Sequence, residues 1–193
     1  MMPPKKIQLP LGNYLYPLPA VIVSCGKTPE EYNMITASWT GTVNSEPPMA
    51  YVSIRKNRHS YDIVKRNMEF VINLTDEALL EATDFNGVKS GRDYDKFKES
   101  NLTPRKSTLI DTVHIVEAPV NIECKVTQIL DLGSHDMFLA KVVNVQADEH
   151  YVNSKTGKID LTNSKLIAYV NKYYHILGES RERVGFSVKN KEK

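Results

Sequence analysis

NMITASWTGTV, residues Asn33 to Val43, is a stretch in which apolar and hydroxylated side chains alternate. The apolar positions are Ile35, Ala37, Trp39 and Val43, and the hydroxylated positions are Thr36, Ser38, Thr40 and Thr42. A period of two is typical of a β-strand with one buried face and one wet face. We therefore predict a single strand that carries a row of hydroxyl groups. Strict alternation places Trp39 on the opposite face, in the core or at an interface, unless a bulge interrupts the strand.

Further strands are predicted on both sides of this stretch. Residues Val120–Thr127 alternate in the same way, and the other predicted strands are Ala20–Ser24, Met49–Arg55, Glu69–Leu74, Phe138–Val145 and Leu166–Lys172. Most of them follow one another without an intervening helix, which favours antiparallel pairing over a doubly wound parallel sheet. The predicted fold class is mainly β, a β-barrel with a few helices.

Local signals predict one turn and three short helices. Pro47 and Pro48 cannot donate ladder hydrogen bonds, so Asn44–Pro48 is predicted as a turn between two neighbouring strands. The predicted helices run from an N-cap at Ser60 to Asn67, from an N-cap at Thr75 to Thr83, and from Asp93 to Glu99.

The composition limits the class of protein. With 193 residues, 41% of them hydrophobic, we expect a single domain over residues 1–193 and a core at about 18–188. A short N-terminal arm precedes this core, and we expect the lysine-rich tail, Lys189–Lys193, to be disordered. A net charge of +2 gives no long-range field that would capture nucleic acid. No signal peptide or apolar membrane span is recognisable, so we expect a soluble, cytoplasmic protein that does not bind membranes.

Two loops are candidates for binding an anion. RKNRHS at Arg55–Ser60 brings three fixed cations and a hydroxyl to the predicted start of a helix, where free N–H groups favour phosphate. GVKSGR at Gly87–Arg92 has two glycines that allow close backbone approach, but it lacks the Walker spacing of a nucleoside triphosphate site. A solvated basic turn and a flexible loop are the respective alternatives.

Two further features are candidates for contact with a ligand. The hydroxyl row of Asn33–Val43 suits a heterocycle rich in carbonyls and ring nitrogens, and a strand with a wet face is its alternative. His135 follows Gly133 at a predicted hairpin turn, from which it can point into a ligand mouth or simply into solvent. No metal site is predicted, because no two of the five histidines have metal-pair spacing and Cys25 and Cys124 are far apart in sequence.

Several motifs together resemble one known family. Asn33–Gly41 resembles the N-x-x-T-A-S-W-x-G strand of the flavoredoxins, and Ser53–Ser60 resembles their S-x-R-K-x-R-x-S segment. The similarity continues through Gly87–Phe97, Gly133–Phe138 and Leu177–Gly178, and it covers about Leu18 to Val188. The chain is therefore similar to the flavin-reductase-like, FMN-binding split-barrel family, and to its flavoredoxin-like members in particular. The resemblance implies a Greek-key barrel of antiparallel strands, FMN as cofactor, and a homodimer with each flavin near the subunit interface.

The resemblance also implies roles for individual residues. The residues expected along the isoalloxazine ring are Asn33, Thr36, Ala37, Ser38 and Trp39. Those expected to hold the phosphate and ribityl groups are Arg55, Lys56, Ser60, Lys89 and Ser90. Ser53 and Lys96 complete the implied cofactor-binding set, and His135 is a candidate for a position near the flavin. No side chain is expected to act as a catalytic acid or nucleophile, because the flavin itself is the redox group.

The chain departs from the family pattern at two positions. Asn86 stands where many flavoredoxin-like sequences have cysteine, so a thiol role is absent there. Ser134 precedes His135 where general flavin reductases more often have G-D-H, which weakens the transfer of an NAD(P)H-binding role to this histidine.

Three hypotheses of function follow from the resemblance. The first is an FMN oxidoreductase that takes electrons from NAD(P)H, as a transient donor, or from a protein donor, and passes them to free flavin, a ferric chelate or a redox-protein partner. The second is a non-catalytic FMN electron carrier that NAD(P)H does not reduce directly. The third is a relative of the pyridoxamine-phosphate oxidases that binds another phosphate cofactor.

Overall fold

The computed structural model describes residues 3–188, and β-strands are the main regular elements of this range. The strands are β1 (Leu18–Pro19), β2 (Val21–Cys25), β3 (Asn33–Ala37), β4 (Thr40–Ser45), β5 (Pro48–Arg55), β6 (Glu69–Leu74), β7 (Pro104–Lys106), β8 (Val113–Ile115), β9 (Val120–Asp131), β10 (His135–Ala147), β11 (Ile167–Val170) and β12 (Tyr173–Ile176). The helices are α1 (His59–Asn67), α2 (Leu80–Val88) and α3 (Lys96–Glu99), with single 3₁₀ turns at Pro29–Glu31, Glu77–Leu79, Glu149–Tyr151 and Phe186–Val188. None of the helices within residues 3–188 combines the length and the apolar character that crossing a bilayer requires.

The main sheet has seven strands in the order β3-β2-β6-β9-β10-β5-β4, and all neighbouring pairs are antiparallel. Its two edge strands, β3 and β4, are joined only by Ser38 and Trp39. Three Cα steps span at most about 11 Å, so this link brings the two edges together and curls the sheet into a half-barrel. The prediction of a mainly β, antiparallel barrel with a few helices is confirmed.

The predicted single strand Asn33–Val43 is wrong, because the chain leaves the ladder at Ser38 and Trp39 and passes from one edge of the sheet to the other. The predicted row of hydroxyl groups therefore does not lie on one face of a single strand. Thr36 donates its hydroxyl hydrogen to the carbonyl of Thr83, and Thr40 donates to the carbonyl of Tyr51. The hydroxyls therefore satisfy backbone acceptors on different sides of the chain.

The other strand predictions are confirmed with changed bounds. The predicted strands Val120–Thr127 and Phe138–Val145 extend toward each other into the long β9–β10 hairpin. The turn predicted at Asn44–Pro48 joins the paired strands β4 and β5 as expected, but it is confined to Glu46 and Pro47. The predicted strand Leu166–Lys172 is shorter than expected and ends at Val170, because Asn171 and Lys172 adopt positive φ angles of 47° and 73° and reverse the chain into β12. These two strands form a small sheet with β1, and β7 pairs with β8.

The three helices are present, but two predicted caps are wrong. Arg58 is the N-cap of α1, and Ser60 lies inside the first turn, where its oxygen accepts a hydrogen bond from Asn33 instead of capping the helix. The side chain of Asp76, and not that of Thr75, caps the turn that leads into α2. The hydroxyl of Thr75 donates instead to the carbonyl of Ala20. The predicted disordered tail at Lys189–Lys193 lies outside the described residues.

Two cores cover the two faces of β2. Val21, Val23 and Cys25 point into the main core, where α1 packs over the curled sheet. Ile22 points the other way, into a second core with Phe97 of α3 and residues of β8. Because α2 and α3 pack beside β3, the end of α2 and the loop that follows it lie next to the start of α1.

Candidate functional site

Two adjoining cavities open between β3, the start of α1 and the end of α2. The small cavity has a volume of about 170 Å³ and the large cavity one of about 500 Å³. Ile35, Arg58 and Gly87 line both, so the two cavities are continuous along one wall. A single elongated ligand can therefore occupy them together.

The small cavity is built to hold an anion. Its lining contains the cationic side chains of Arg58, Lys89, Arg92 and Lys96, and no Asp or Glu is among the lining residues that the structure describes. The first turn of α1 faces it, and its N-cap, Arg58, makes no side-chain capping bond to the backbone. Uncapped N–H groups, the positive end of the helix dipole and fixed cations all favour a phosphate or a similar anion.

Lys96 is the buried cation of this cavity, with 3% of its surface exposed. Its Nζ donates hydrogen bonds of 2.7 Å each to the backbone carbonyls of Met34 and Asn86. Burial and the nearby charge of Arg58 lower the pKa of Lys96 to about 8. At neutral pH the side chain is therefore still mainly charged.

Gly91 explains why the loop of the small cavity can pack closely on β3. A Cβ atom at this position would overlap Oδ1 of Asn33 and would lie 2.7 Å from its Cγ and 3.0 Å from Cδ2 of His59. Asn33 is itself held by its donation to Oγ of Ser60 at 2.7 Å. Glycine thus keeps Asn33 in place and lets the Lys89–Arg92 backbone approach the cavity.

The large cavity has an aromatic wall. Trp39 and the ring of His135 stack with centroids 6.2 Å apart and planes within 8° of each other. The ring centroid of Tyr169 lies 6.4 Å from that of Trp39 and 6.4 Å from that of Tyr174. Trp39 reaches this wall because the break between β3 and β4 releases it from strict alternation, which corrects its predicted position on the opposite face. Such a wall suits a planar, conjugated ring.

Polar groups also line the large cavity. Ser38, Ser53 and Arg55 line the large cavity and supply hydroxyl and guanidinium donors. Burial and the charge of Arg55 lower the pKa of His135, so its imidazole is neutral at pH 7. The Ser134 hydroxyl lies 2.9 Å from Nδ1 of His135 and helps to orient the ring.

The structure brings most of the predicted cofactor-binding residues to these cavities. Asn33, Ser60, Lys89, Ser90 and Lys96 line the small one. Thr36, Ala37, Ser38, Trp39, Ser53, Arg55 and His135 line the large one. Lys56 is not among the lining residues: its Nζ lies 2.7 Å from Asp131 and 3.2 Å from Asp136, so two carboxylates of the β9–β10 hairpin draw it away.

Sequence reasoning missed several lining residues. Arg58, at the junction of the two cavities, belongs to the cationic loop but was outside the predicted cofactor-binding set. Its place two positions before Ser60, at the predicted helix start, was an available signal. Tyr169 and Tyr174 carry no comparable signal, because only the pairing of β11 with β12 and β1 brings them to the wall.

Residues 13–177 match the protein family described as "Flavin reductase like domain". An uncharacterised protein of Archaeoglobus fulgidus is 28% identical over 170 residues, which cover 88% of this chain and 93% of that protein.

Two solved structures are similar along almost their whole length. The flavoredoxin of Desulfovibrio vulgaris (Miyazaki F) is 26% identical, with a TM-score of 0.87, over 96% of this chain and 100% of that one. An FMN-binding protein from Thermus thermophilus, solved with bound 1-cyclohex-2-enone, is 23% identical, with a TM-score of 0.77, over 94% of this chain and 99% of that one.

Proposed function

Because the chain belongs to the flavin-reductase-like family, we propose that it binds FMN in the two adjoining cavities and uses it for redox chemistry. One observation carries the proposal: a cationic cavity, with no carboxylate among its described lining residues, is continuous through Arg58 with a larger cavity that has an aromatic wall. This order of chemistry matches a phosphate at one end of a ligand and a conjugated ring at the other. The similarity to an FMN-binding protein of the same fold supports the assignment.

The residues of the small cavity fit the phosphate and the ribityl chain. Arg58, Arg92 and Lys89 would hold the phosphate together with the first turn of α1. Asn86 adds a hydrogen-bond acceptor to these cations. Its buried Oδ1 accepts no hydrogen bond from any residue that the structure describes. An unsatisfied acceptor is costly to bury, and a ribityl hydroxyl is a suitable donor for it.

The residues of the large cavity fit the isoalloxazine ring. Trp39 and His135 would exclude water from one side of the ring, and Ser38 and Ser53 would donate to its polar edge. Arg55 would favour negative charge on that edge, and this is how a protein tunes the potential of a flavin. When bound, FMN supplies the electron-accepting and electron-donating group, and no protein acid or nucleophile is required.

We propose that electrons come from NAD(P)H or a protein donor and pass to free flavin, a ferric chelate or a redox partner. The alternative is an electron carrier that nicotinamides do not reduce. Reconstitution with FMN should give yellow protein that retains flavin on gel filtration. Rapid loss of the flavin absorbance band on anaerobic mixing with NADH or NADPH is expected of the enzyme.

An unchanged band with both nicotinamides, together with bleaching by dithionite, would favour the carrier instead. Folded protein that remains colourless throughout a titration with FMN would contradict both forms of the proposal.

We also propose that the protein is a homodimer with the cavities near its interface. The N-terminal arm supports this, because Ile7, Leu9, Leu11 and Leu15 are each more than half exposed while Asn13 of the same arm lines the large cavity. Exposed apolar side chains gain most when a partner covers them. Sedimentation velocity should give about twice the chain mass of 21.9 kDa. A monomer at tens of micromolar protein would contradict the dimer.

A further inference from the structure

Lys96 is a buried cation that has no carboxylate partner among residues 3–188. Its ammonium has three N–H groups, and two of them donate to the carbonyls of Met34 and Asn86. Backbone carbonyls satisfy hydrogen bonds but carry no full negative charge. The charge of Lys96 therefore remains uncompensated on the floor of the small cavity.

The titratable groups that face Lys96 are mostly basic. Arg58 and His59 approach from the start of α1, and Lys89 and Arg92 approach from the loop after α2. On the sheet side, Cys25 of β2 acts in the opposite direction, because a thiolate there would favour the charged form of Lys96. Two carboxylates act on these neighbours, that of Asp62 on His59 and that of Glu31 on Cys25, and neither residue lines the cavity.

Between pH 7.5 and 9.5, few of these groups change charge. Burial and the charge of Arg92 lower the pKa of His59, so it is neutral throughout this range. Burial raises the pKa of the Cys25 thiol to about 12, so it stays protonated. The guanidinium groups remain charged. Burial and Arg58 lower the pKa of Lys96 to about 8, which leaves Lys96 as the buried group that titrates in this interval.

We propose that binding of a phosphate ester in the small cavity is coupled to proton uptake by Lys96, so that the protein holds FMN less tightly in alkaline than in neutral solution. This inference rests on the proposed FMN site. The proton comes from solvent and is taken up at Nζ, and the entering phosphate supplies the negative charge that the cavity lacks. Lys96 is thus a positioning residue whose protonation depends on the bound phosphate and not on the isoalloxazine ring.

The size of the coupling follows from linkage. If bound phosphate keeps Lys96 protonated, the dissociation constant of FMN should rise about tenfold between pH 7 and pH 9. Riboflavin, which has the same ring and no phosphate, should show no such rise. The comparison stays above pH 7, since the phosphate group itself titrates near pH 6.

The test is calorimetric titration of the full-length protein with FMN at pH 8.5, in two buffers that differ in ionisation enthalpy. We expect uptake of about 0.8 proton for each FMN bound. Lys96→Arg keeps the charge but cannot titrate, so it should bind FMN with no proton uptake and a flat pH profile. Lys89→Gln removes an exposed cation of the same cavity, and it should weaken FMN binding at every pH while retaining the proton uptake.

The wild-type measurement is decisive even if Lys96→Arg does not fold. Binding of FMN with less than about 0.1 proton taken up at pH 8.5 would overturn this inference and leave the proposed function intact. Equal proton uptake on binding of riboflavin would also overturn it, because the uptake would then be caused by binding of the isoalloxazine ring and not by the phosphate. No binding of FMN at any pH would overturn the proposed function together with the inference.

Discussion

Replacing Arg58 with alanine is expected to weaken FMN binding by about 10- to 150-fold, because a charge-assisted hydrogen bond contributes about 1.5–3 kcal/mol. Arg58 lines both cavities and stands at the start of α1, so its guanidinium is the group best placed to hold a phosphate. The dissociation constant can be measured from the quenching of flavin fluorescence at pH 7. Circular dichroism should show the same fold as the wild type.

Lys56 provides a matched control from the same loop. Lys56→Gln removes one positive charge two positions away, but the Lys56 ammonium is bound to Asp131 and Asp136 outside the cavity lining. We expect the affinity for FMN to change by no more than about twofold, since screening weakens the effect of exposed and distant charges. If Lys56→Gln weakened FMN binding as much as Arg58→Ala, the phosphate would be wrongly placed.

Replacing Glu123 with glutamine is expected to lower the free energy of unfolding by about 2–4 kcal/mol. The carboxylate is fully buried and accepts hydrogen bonds from the backbone N–H groups of Thr108 and Leu109, both at 2.8 Å. The side-chain amides of Asn144 and Gln146 also donate to it, at 3.0 and 3.2 Å. A glutamine amide would turn its NH₂ group toward one of these donors and leave hydrogen bonds unmade. Urea denaturation at pH 7 measures the loss.

Glu117→Gln is the control for this change. Glu117 is exposed, and among residues 3–188 its carboxylate accepts only from the backbone N–H of Thr103, at 3.0 and 3.1 Å. Its replacement should therefore cost less than about 1 kcal/mol. Equal losses for the two variants would contradict a special role for the buried carboxylate.

The pH dependence of Glu123 has a defined sign. Burial by itself raises the pKa of this carboxyl, but hydrogen bonds from Thr108, Asn144 and Leu109 outweigh it and hold the pKa below its usual value of 4.5. A lowered folded-state pKa means that the charged form stabilises the fold above pH 4.5 and that this contribution is lost as the pH falls through the folded-state pKa. The gap in stability between wild type and Glu123→Gln should therefore narrow in acid. If the difference in unfolding free energy between the two proteins stayed constant as the pH fell, the destabilisation would come from packing and not from loss of the charged carboxylate.

The cationic loop shows how far residue patterns can be taken. Its charges and the helix start after it predicted an anion site, and Arg58 and Ser60 do line the small cavity. The same pattern included Lys56, which the two aspartates of the β9–β10 hairpin hold elsewhere. Those aspartates lie far away in sequence and become neighbours only because β10 pairs with β5. The family motif contains both Lys56 and Arg58, but the roles taken from the resemblance included Lys56 and left Arg58 out.

The sequence by itself determined the mainly β class, most of the strands and the family, because period-two patterning, turn residues and family motifs are local properties of the chain. Only the tertiary structure decided that Asn33–Val43 is two strands, that Trp39 joins an aromatic wall, and which cations of the Arg55–Ser60 loop line the two cavities. The physical reason is closure of the sheet. Joining edge strands β3 and β4 through two residues forces a break in the ladder at Ser38 and Trp39, and that break turns a predicted core side chain into part of the site.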